Sequence, residues 1–270
     1  MNIYRADIES NFYYDNLKKI TPPVVPMHLH NFYELLFFQE GDAVYKVEGN
    51  NYELSGGEIL ITNPRELHSP VFKSNQEYTR MMLSVKPGYL SEFLTHKYDP
   101  FAALKKRKLG TKNKIDANLV QKFELDKKMN TIGEYYNSDL PEKEVMIKST
   151  LLQLLVNINN IVGVELSKTS SSNIDNIIYF INENLSSKIT LDDLANEFYL
   201  NKYHIAHLFK EKMGMTFMQY ITTKRITLSK ELISKGIPLQ QVSEMVGYND
   251  YSNFYRTFVK MCGIPPNKLK

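Results

Sequence analysis

Hydrophobic and polar positions divide the chain into two regions of different period. Between about residues 23 and 86, short apolar runs alternate with turn residues. Tyr33–Gln39, Ala43–Glu48, Tyr52–Leu54, Glu58–Thr62 and Glu77–Val85 are rich in Val, Ile, Leu, Tyr and Phe. Gly41-Asp42, Gly49-Asn50-Asn51, Gly56-Gly57 and Asn63-Pro64 punctuate them. Strands at that spacing predict a barrel or sandwich. Three helices are predicted next: a short one at Gly88–His96, a longer one at Asp116–Tyr136, and Lys143–Val162. The last carries Ile147, Leu151, Leu154, Ile158 and Ile161 at helical spacing, widened by Leu152, Leu155 and Val162. A stripe that wide predicts burial on one side and a homodimer interface on the other.

Ser167–Asn173 is small and polar and reads as a linker. Beyond it the period is helical throughout. Helices are predicted at Ile174–Asn184, Leu191–Phe198, Lys202–Met213, Phe217–Lys235, Leu239–Val246 and Tyr251–Met261. The second and third form a helix–turn–helix pair, as do the last two. Thr190 with Asp193 suggests a variant capping box, and Asn201 and Asp250 stand at N-cap positions. The expected organisation is an α+β multidomain chain: a β-barrel with flanking helices over 1–166, a linker over 167–173 and an all-α domain over 174–270.

Composition sharpens this picture. The chain has 270 residues, 43% of them apolar and 23% charged, an ordinary globular balance. The single cysteine, Cys262, excludes an intrachain disulfide. No uninterrupted apolar run is long enough to suggest a membrane span, and the first residues carry acids where a secretory leader has an apolar core. A cytoplasmic protein is expected. The net charge of +3 lies wholly in residues 174–270, with 12 Lys and Arg against 9 Asp and Glu. That excess alone is a weak sign of a nucleic-acid partner.

The final helix pair carries more. Gly247-Tyr248-Asn249-Asp250-Tyr251-Ser252-Asn253-Phe254-Tyr255-Arg256-Thr257-Phe258-Val259-Lys260, followed by Gly263-Ile264-Pro265-Pro266, resembles the signature of the AraC/XylS transcription regulators. Leu191–Ala195, Lys202–Ile205, Leu208–Lys210 and Phe217, Tyr220, Arg225 and Ile226 fit the same pattern over about 80 residues. Ser229, Ser243, Pro265 and Leu269-Lys270 depart from it. The resemblance implies a double helix-turn-helix domain that binds double-stranded DNA.

Helical phase turns Ile205, Leu208 and Phe209 inward on the first recognition helix. Tyr203, Ala206 and His207 are left outward, where the family makes base contacts. On the second, Phe254 and Phe258 turn inward and leave Ser252, Asn253 and Arg256 outward. Asn can read adenine and Arg guanine; Arg256 can equally hold a phosphate. Lys202, Lys210 and Lys260 are phosphate candidates, and Tyr251 can meet backbone or base. Arg225 is expected to hydrogen-bond structurally.

His28-x-His30-x3-Glu34-x6-Gly41 and, downstream, Gly57…Pro64-x3-His68 resemble the two cupin motifs. In metal-binding cupins the matching positions, His28, His30, Glu34 and His68, hold a divalent ion. In cupin-like sensors of this family the same positions line an effector cavity or are structural, and no cofactor is the first expectation. Phe37, Tyr45 and Arg80 are added to the cavity wall. The run Lys105-Lys106-Arg107-Lys108 reads as a solvated loop.

The resulting expectation is a DNA-binding regulator controlled by a small-molecule effector. The lean is towards an activator, with RNA polymerase as a further partner and no enzyme activity. A metal-dependent cupin enzyme with a DNA-binding tail, or a constitutive binder with a vestigial barrel, stands as the alternative.

Overall fold

The computed structural model describes residues 10–21, 24–74, 76–95, 97–165 and 173–269. The linker residues 167–172 lie outside the described residues. Eight strands and ten α-helices are described: β1 Phe12–Ile20, β2 Tyr33–Glu40, β3 Ala43–Val47, β4 Asn50–Leu54, β5 Glu58–Thr62, β6 His68–Phe72, β7 Tyr78–Val85, α1 Ala102–Lys106, β8 Lys114–Ile115, α2 Ala117–Lys122, α3 Leu125–Tyr136, α4 Lys143–Glu165, α5 Asn173–Glu183, α6 Leu191–Phe198, α7 Lys202–Met213, α8 Phe217–Ser234, α9 Leu239–Met245 and α10 Tyr251–Cys262.

The strands form two antiparallel sheets. One has the order β1-β7-β2-β5-β8 and the other β4-β3-β6. Alternation along β2 explains how they pack. Tyr33, Leu35 and Phe37 join the core beneath α3 and α4. Leu36 and Phe38 face the second sheet and pack with Ala43, Tyr45, Val47 and Leu54. The larger sheet is therefore buried on both faces, and its central strands read as continuous apolar runs rather than as alternation.

Several expectations are corrected. β1 pairs with β7 from Phe12 to Ile20, outside the predicted strand region. β6 is a strand despite Pro70, which a central strand would exclude; it lies at the edge of its sheet. The predicted helix at Asp116–Tyr136 breaks into α2 and α3 where Glu124 adopts a left-handed φ of 50°. The predicted helix at Gly88–His96 is reduced to a 3-10 turn at Ser91–Phe93. α4 is long and apolar enough to cross a membrane by length and composition alone. Its Ile147, Leu151, Leu154, Leu155, Ile158 and Ile161 are instead core residues of the β-domain.

The helices after residue 173 share two cores. The first unites α5–α8 and also takes in Leu29 and Leu67 from the β-domain. The second gathers Ile226, Leu232, Val242, Val246, Tyr248, Phe254 and Phe258 around α9 and α10. The helix starts follow the sequence signals. Thr190 and Asp193 form a reciprocal capping box, and so do Thr216 and Gln219. Asn201 and Asp250 cap α7 and α10. The turn before α10 requires glycine: Gly247 has φ 84°, and a Cβ there would lie 2.6 Å from the Leu185 carbonyl oxygen.

The two serine departures have a local explanation. Ser229 and Ser243 are buried, and each hydroxyl donates to the carbonyl three residues back, Ile226 at 2.7 Å and Gln240 at 2.8 Å. Small residues at these crowded positions thus keep their polar atoms satisfied within the helix.

Candidate DNA interface and buried polar chamber

The second helix of each pair projects the predicted DNA-facing residues. On α7, Ile205 and Phe209 are fully buried and Leu208 is half-buried, which turns the opposite face to solvent. Tyr203 is 75% exposed and His207 and Lys210 are exposed, whereas Ala206 is half-buried. Two of these groups have local partners: Lys202 pairs with Asp192 at 2.8 Å and His207 lies 3.7 Å from Glu211. On α10, Phe254 and Phe258 are buried, and Ser252, Asn253, Arg256 and Lys260 are exposed. Tyr251 is half-buried against Phe254, with ring centroids 6.0 Å apart. Arg256 Nε donates to the Ser252 carbonyl at 3.3 Å, a weak contact that leaves most of the guanidinium unengaged by protein.

Arg225 faces the other way. Its Nε and Nη2 donate to the carbonyls of Leu185 and Ser187 at 3.0 and 2.6 Å, and its guanidinium lies over the Tyr248 ring at 5.6 Å. It therefore ties α8 to the chain after α5 and to the second helix pair. This is the structural hydrogen-bonding role expected for it.

Inside the β-domain, register brings polar side chains together. Glu34 on β2 sits opposite Thr62 on β5 and Ser84 on β7. His68 on β6 pairs with Val47, and His28 forms an isolated bridge with His68. The His28 and His68 rings are 4.4 Å apart, and those of His30 and His68 4.8 Å apart. His30 stacks on Phe32 at 3.8 Å. Glu34 approaches His30 Nε2 at 3.7 Å and His68 Nε2 at 3.9 Å, too far for hydrogen bonds. Among the described residues, Nε2 of His68, Thr62 Oγ1, Ser84 Oγ and Arg80 Nη1 are buried without a protein hydrogen-bond partner, and the His30 nitrogens have none of ordinary geometry, although the Phe32 backbone lies near the ring. Buried polar atoms are ordinarily paired, so this concentration is unusual.

The other wall residues divide by strand phase. Tyr45 and Arg80 share the Glu34 side, with Arg80 also paired to Asp15 at 3.1 Å. Phe37 is a correction: it lies in the core beneath the helices, on the opposite face of β2 from Glu34. Thr62 and Ser84 were missed, because isolated hydroxyl residues at strand ends carry no pattern.

Burial governs the protonation of the histidines. It lowers His28 to about 4, helped by neighbouring His68. It also lowers His30 and His68, and it raises Glu34. His68 Nδ1 lies 2.9 Å from the Glu66 carbonyl and His28 Nδ1 lies 2.9 Å from that of Pro26. A neutral imidazole bonded in this way carries its proton on Nδ1, so His68 turns its Nε2 lone pair towards Glu34. His28 binds a proton near pH 6.5 when unfolded and only near 4 when folded. Between those values the unfolded chain holds more protons, so stability should fall as pH is lowered through that window and level off above 6.5. Urea midpoints at pH 7.5 and 5.0 would show this, and equal midpoints would contradict it.

Glu66, which occupies a glycine position of the cupin pattern, anchors the adjoining loop. Arg107 donates to it through both Nη atoms, the Asn63 and Gly110 N–H groups donate at 2.9 and 2.8 Å, and Asn113 Nδ2 donates at 3.1 Å. Arg107 is thus buried, and the basic run around it is not wholly a solvated loop. Lys106 is exposed, and Lys105 pairs with Asp99 at 2.7 Å.

Residues 21–108 match an AraC-like ligand binding domain and residues 194–270 match a helix-turn-helix domain. The HTH-type transcriptional regulator YdeC of Bacillus subtilis is 25% identical over 259 residues, covering 91% of this chain and 86% of that protein. The HTH-type transcriptional activator RhaS of Pectobacterium carotovorum is 21% identical over 248 residues, covering 91% and 87%. The HTH-type transcriptional regulator YtdP of Bacillus subtilis is 30% identical over 97 residues, 36% of this chain; that stretch spans only 13% of YtdP.

Proposed function

Because this chain belongs to the AraC family of DNA-binding transcription regulators, with a ligand-binding domain ahead of its helix-turn-helix domain, we propose that a small molecule held in the chamber around His30, Glu34 and His68 controls how α7 and α10 engage DNA. The observation that carries this reading is the set of buried polar atoms on His30, Thr62, His68, Arg80 and Ser84 that no described protein group satisfies with ordinary hydrogen-bond geometry. Leaving such groups unpaired costs roughly 1–3 kcal/mol each, a cost that a ligand with complementary donors and acceptors would relieve. Arg80 supplies positive charge and the neutral imidazoles supply acceptors, so a small polar ligand fits this wall.

A divalent cation is a second reading, favoured by one specific arrangement. His30, Glu34 and His68 bring their ligand atoms within 4.8 Å of one another, all buried. A metal-ligating histidine commonly donates its other N–H to a carbonyl, as His68 does to Glu66. The donor set of two imidazoles and a carboxylate suits zinc or another first-row ion. His30, Glu34 and His68 would hold such an ion, which would supply a structural tie or Lewis acidity.

In DNA recognition, Asn253 and Arg256 read bases. Tyr203, Ala206 and His207 provide the weaker set, with Tyr251 and Ser252 beside them. Lys210 and Lys260 meet phosphates, as does Lys202 once Asp192 releases it. The exposed Val145 and half-buried Leu152 and Val156 lie along one outer stripe of α4 and form the homodimer contact. Activation through RNA polymerase is the mode we favour, on the strength of the named activator RhaS among the relatives. The site of action is the cytoplasm.

The test is selection of random duplex DNA on the full chain at stated salt, with and without excess EDTA and with a panel of small polar ligands. Two conserved blocks about 10 base pairs apart are expected, since each unit reads one turn. A ligand that changes occupancy in the parent chain but not in His30→Ala supports the chamber. Occupancy indifferent to every ligand and to chelation would overturn the sensing role.

A further inference from the structure

Lys224 on α8 is 4% exposed, an unusual place for a charged group. Its ammonium reaches Glu48, which follows β3 in the turn to β4 and is itself fully buried. Tyr220, one turn earlier on α8, donates its hydroxyl to Glu48 Oε2 at 2.6 Å and accepts from Asn182 of α5 at 3.2 Å. Lys224 also donates to the Arg65 carbonyl and lies 5.0 Å from the Tyr220 ring centroid. The bonds to Glu48 and to the Arg65 carbonyl join residues more than 150 positions apart and cross from the β-domain to the DNA-binding domain. They accompany an apolar contact, since Leu29 and Leu67 enter the core of α5–α8.

Glu48 also touches the chamber by one step. Its N–H donates to the Leu67 carbonyl at 2.9 Å, and its Oε1 accepts from the Leu67 N–H at 2.6 Å. The next residue is His68, which pairs across the ladder with Val47, the neighbour of Glu48. The chamber and the clasp therefore use adjacent residues at one end of the same strand pair. Glu48 has little freedom to absorb a shift. It holds a left-handed φ of 48°, and a Cβ on Gly110 would lie 2.7 Å from its own Cβ. Gly49 beside it backs onto Lys212 and Met213 of α7. Among the described residues, the second helix pair packs with Ile226 and Leu232 of α8 in a core that contains no β-domain residue.

We propose that Glu48, Lys224 and Tyr220 form a clasp that transmits the state of the chamber from His68 to α7 and α8, with α9 and α10 reached only at second hand, through the far half of α8. The inference rests on the chamber reading above. Buried charge pairs are poor sources of net stability and are strongly disrupted when one partner is lost. A packed ladder that must satisfy Lys224 and His68 together has few intermediate arrangements. Displacement of His68 therefore changes the support of α8.

Amide hydrogen exchange on the full chain at pH 7.5 with excess EDTA tests this without ligand or DNA. His68→Ala is expected to speed exchange in residues 203–229 at least about fivefold, while residues 251–262 change less and residues 147–162 keep their parent rates. In the paired background Glu48→Gln with Lys224→Met, the same His68→Ala change is expected to add nothing in 203–229. Unchanged exchange there after His68→Ala overturns the proposal. So does an effect of equal size in the paired background, or one spread evenly over α4 and α10, which marks general destabilisation. If the paired variant does not fold, Tyr220→Phe provides the background, since it removes only the hydroxyl bonds. Failure of every ligand to occupy the chamber would defeat the functional reading and leave this coupling result standing.

Discussion

Arg107→Ala is expected to destabilise the protein by about 3–5 kcal/mol, the scale at which one partner of a buried ion pair is lost. Native stabilities run to roughly 5–15 kcal/mol, so much of the fold is at stake. Glu66 would be left as a buried carboxylate with only neutral donors from Asn63, Gly110 and Asn113. Burial pushes its carboxyl pKa up, but Arg107's charge and the hydrogen bonds around it outweigh that and hold it below the usual range. Removing the guanidinium lets burial win. The neutral donors that remain oppose burial only in part, so the contribution now present above pH 4.5 shrinks. Arg107→Lys keeps a charge but loses the two-pronged contact, so an intermediate loss is expected. Urea midpoints for the three chains decide it. A loss under 1 kcal/mol for Arg107→Ala would show that solvent or rearranged donors replace the guanidinium.

The second large effect concerns DNA. Arg256→Ala is expected to weaken binding to a selected site by about 1–3 kcal/mol, and Asn253→Ala by a similar amount, if each reads a base edge. Stability should not move, because Arg256 is exposed and its one described protein hydrogen bond is the long contact to Ser252. Salt dependence separates the two roles of Arg256. A base contact relaxes sequence preference at one position. A phosphate contact weakens all sequences alike and lowers the salt slope by about one. Unchanged affinity with an intact fold would remove α10 from the interface.

The helical half was legible because its signals are local. Apolar residues at helical spacing, Thr190 and Asp193 around a helix start, and Gly247 at a turn each act within a few positions. The boundaries of α6 and α7 accordingly match those predicted. The β-domain was less legible. β1 carries Asp15, Asn16 and Lys18, and only its pairing with β7 makes it a strand. Phe37 shares a strand with Glu34, but it stands an odd number of residues away, and an odd step along a strand reverses the face.

His28, His30, Glu34 and His68 were visible as a motif, and three of them do converge. The sequence by itself determined the helix starts, the double helix-turn-helix pattern and the residues on the outward faces of α7 and α10, because helix phase and capping depend on neighbours within one turn. Tertiary structure alone decided that Glu66 meets Arg107, that Glu48 meets Lys224 and that Thr62 and Ser84 stand beside Glu34. Each is a long-range pairing set by strand register and domain packing, and burial then makes each polar group's partner, or lack of one, energetically decisive.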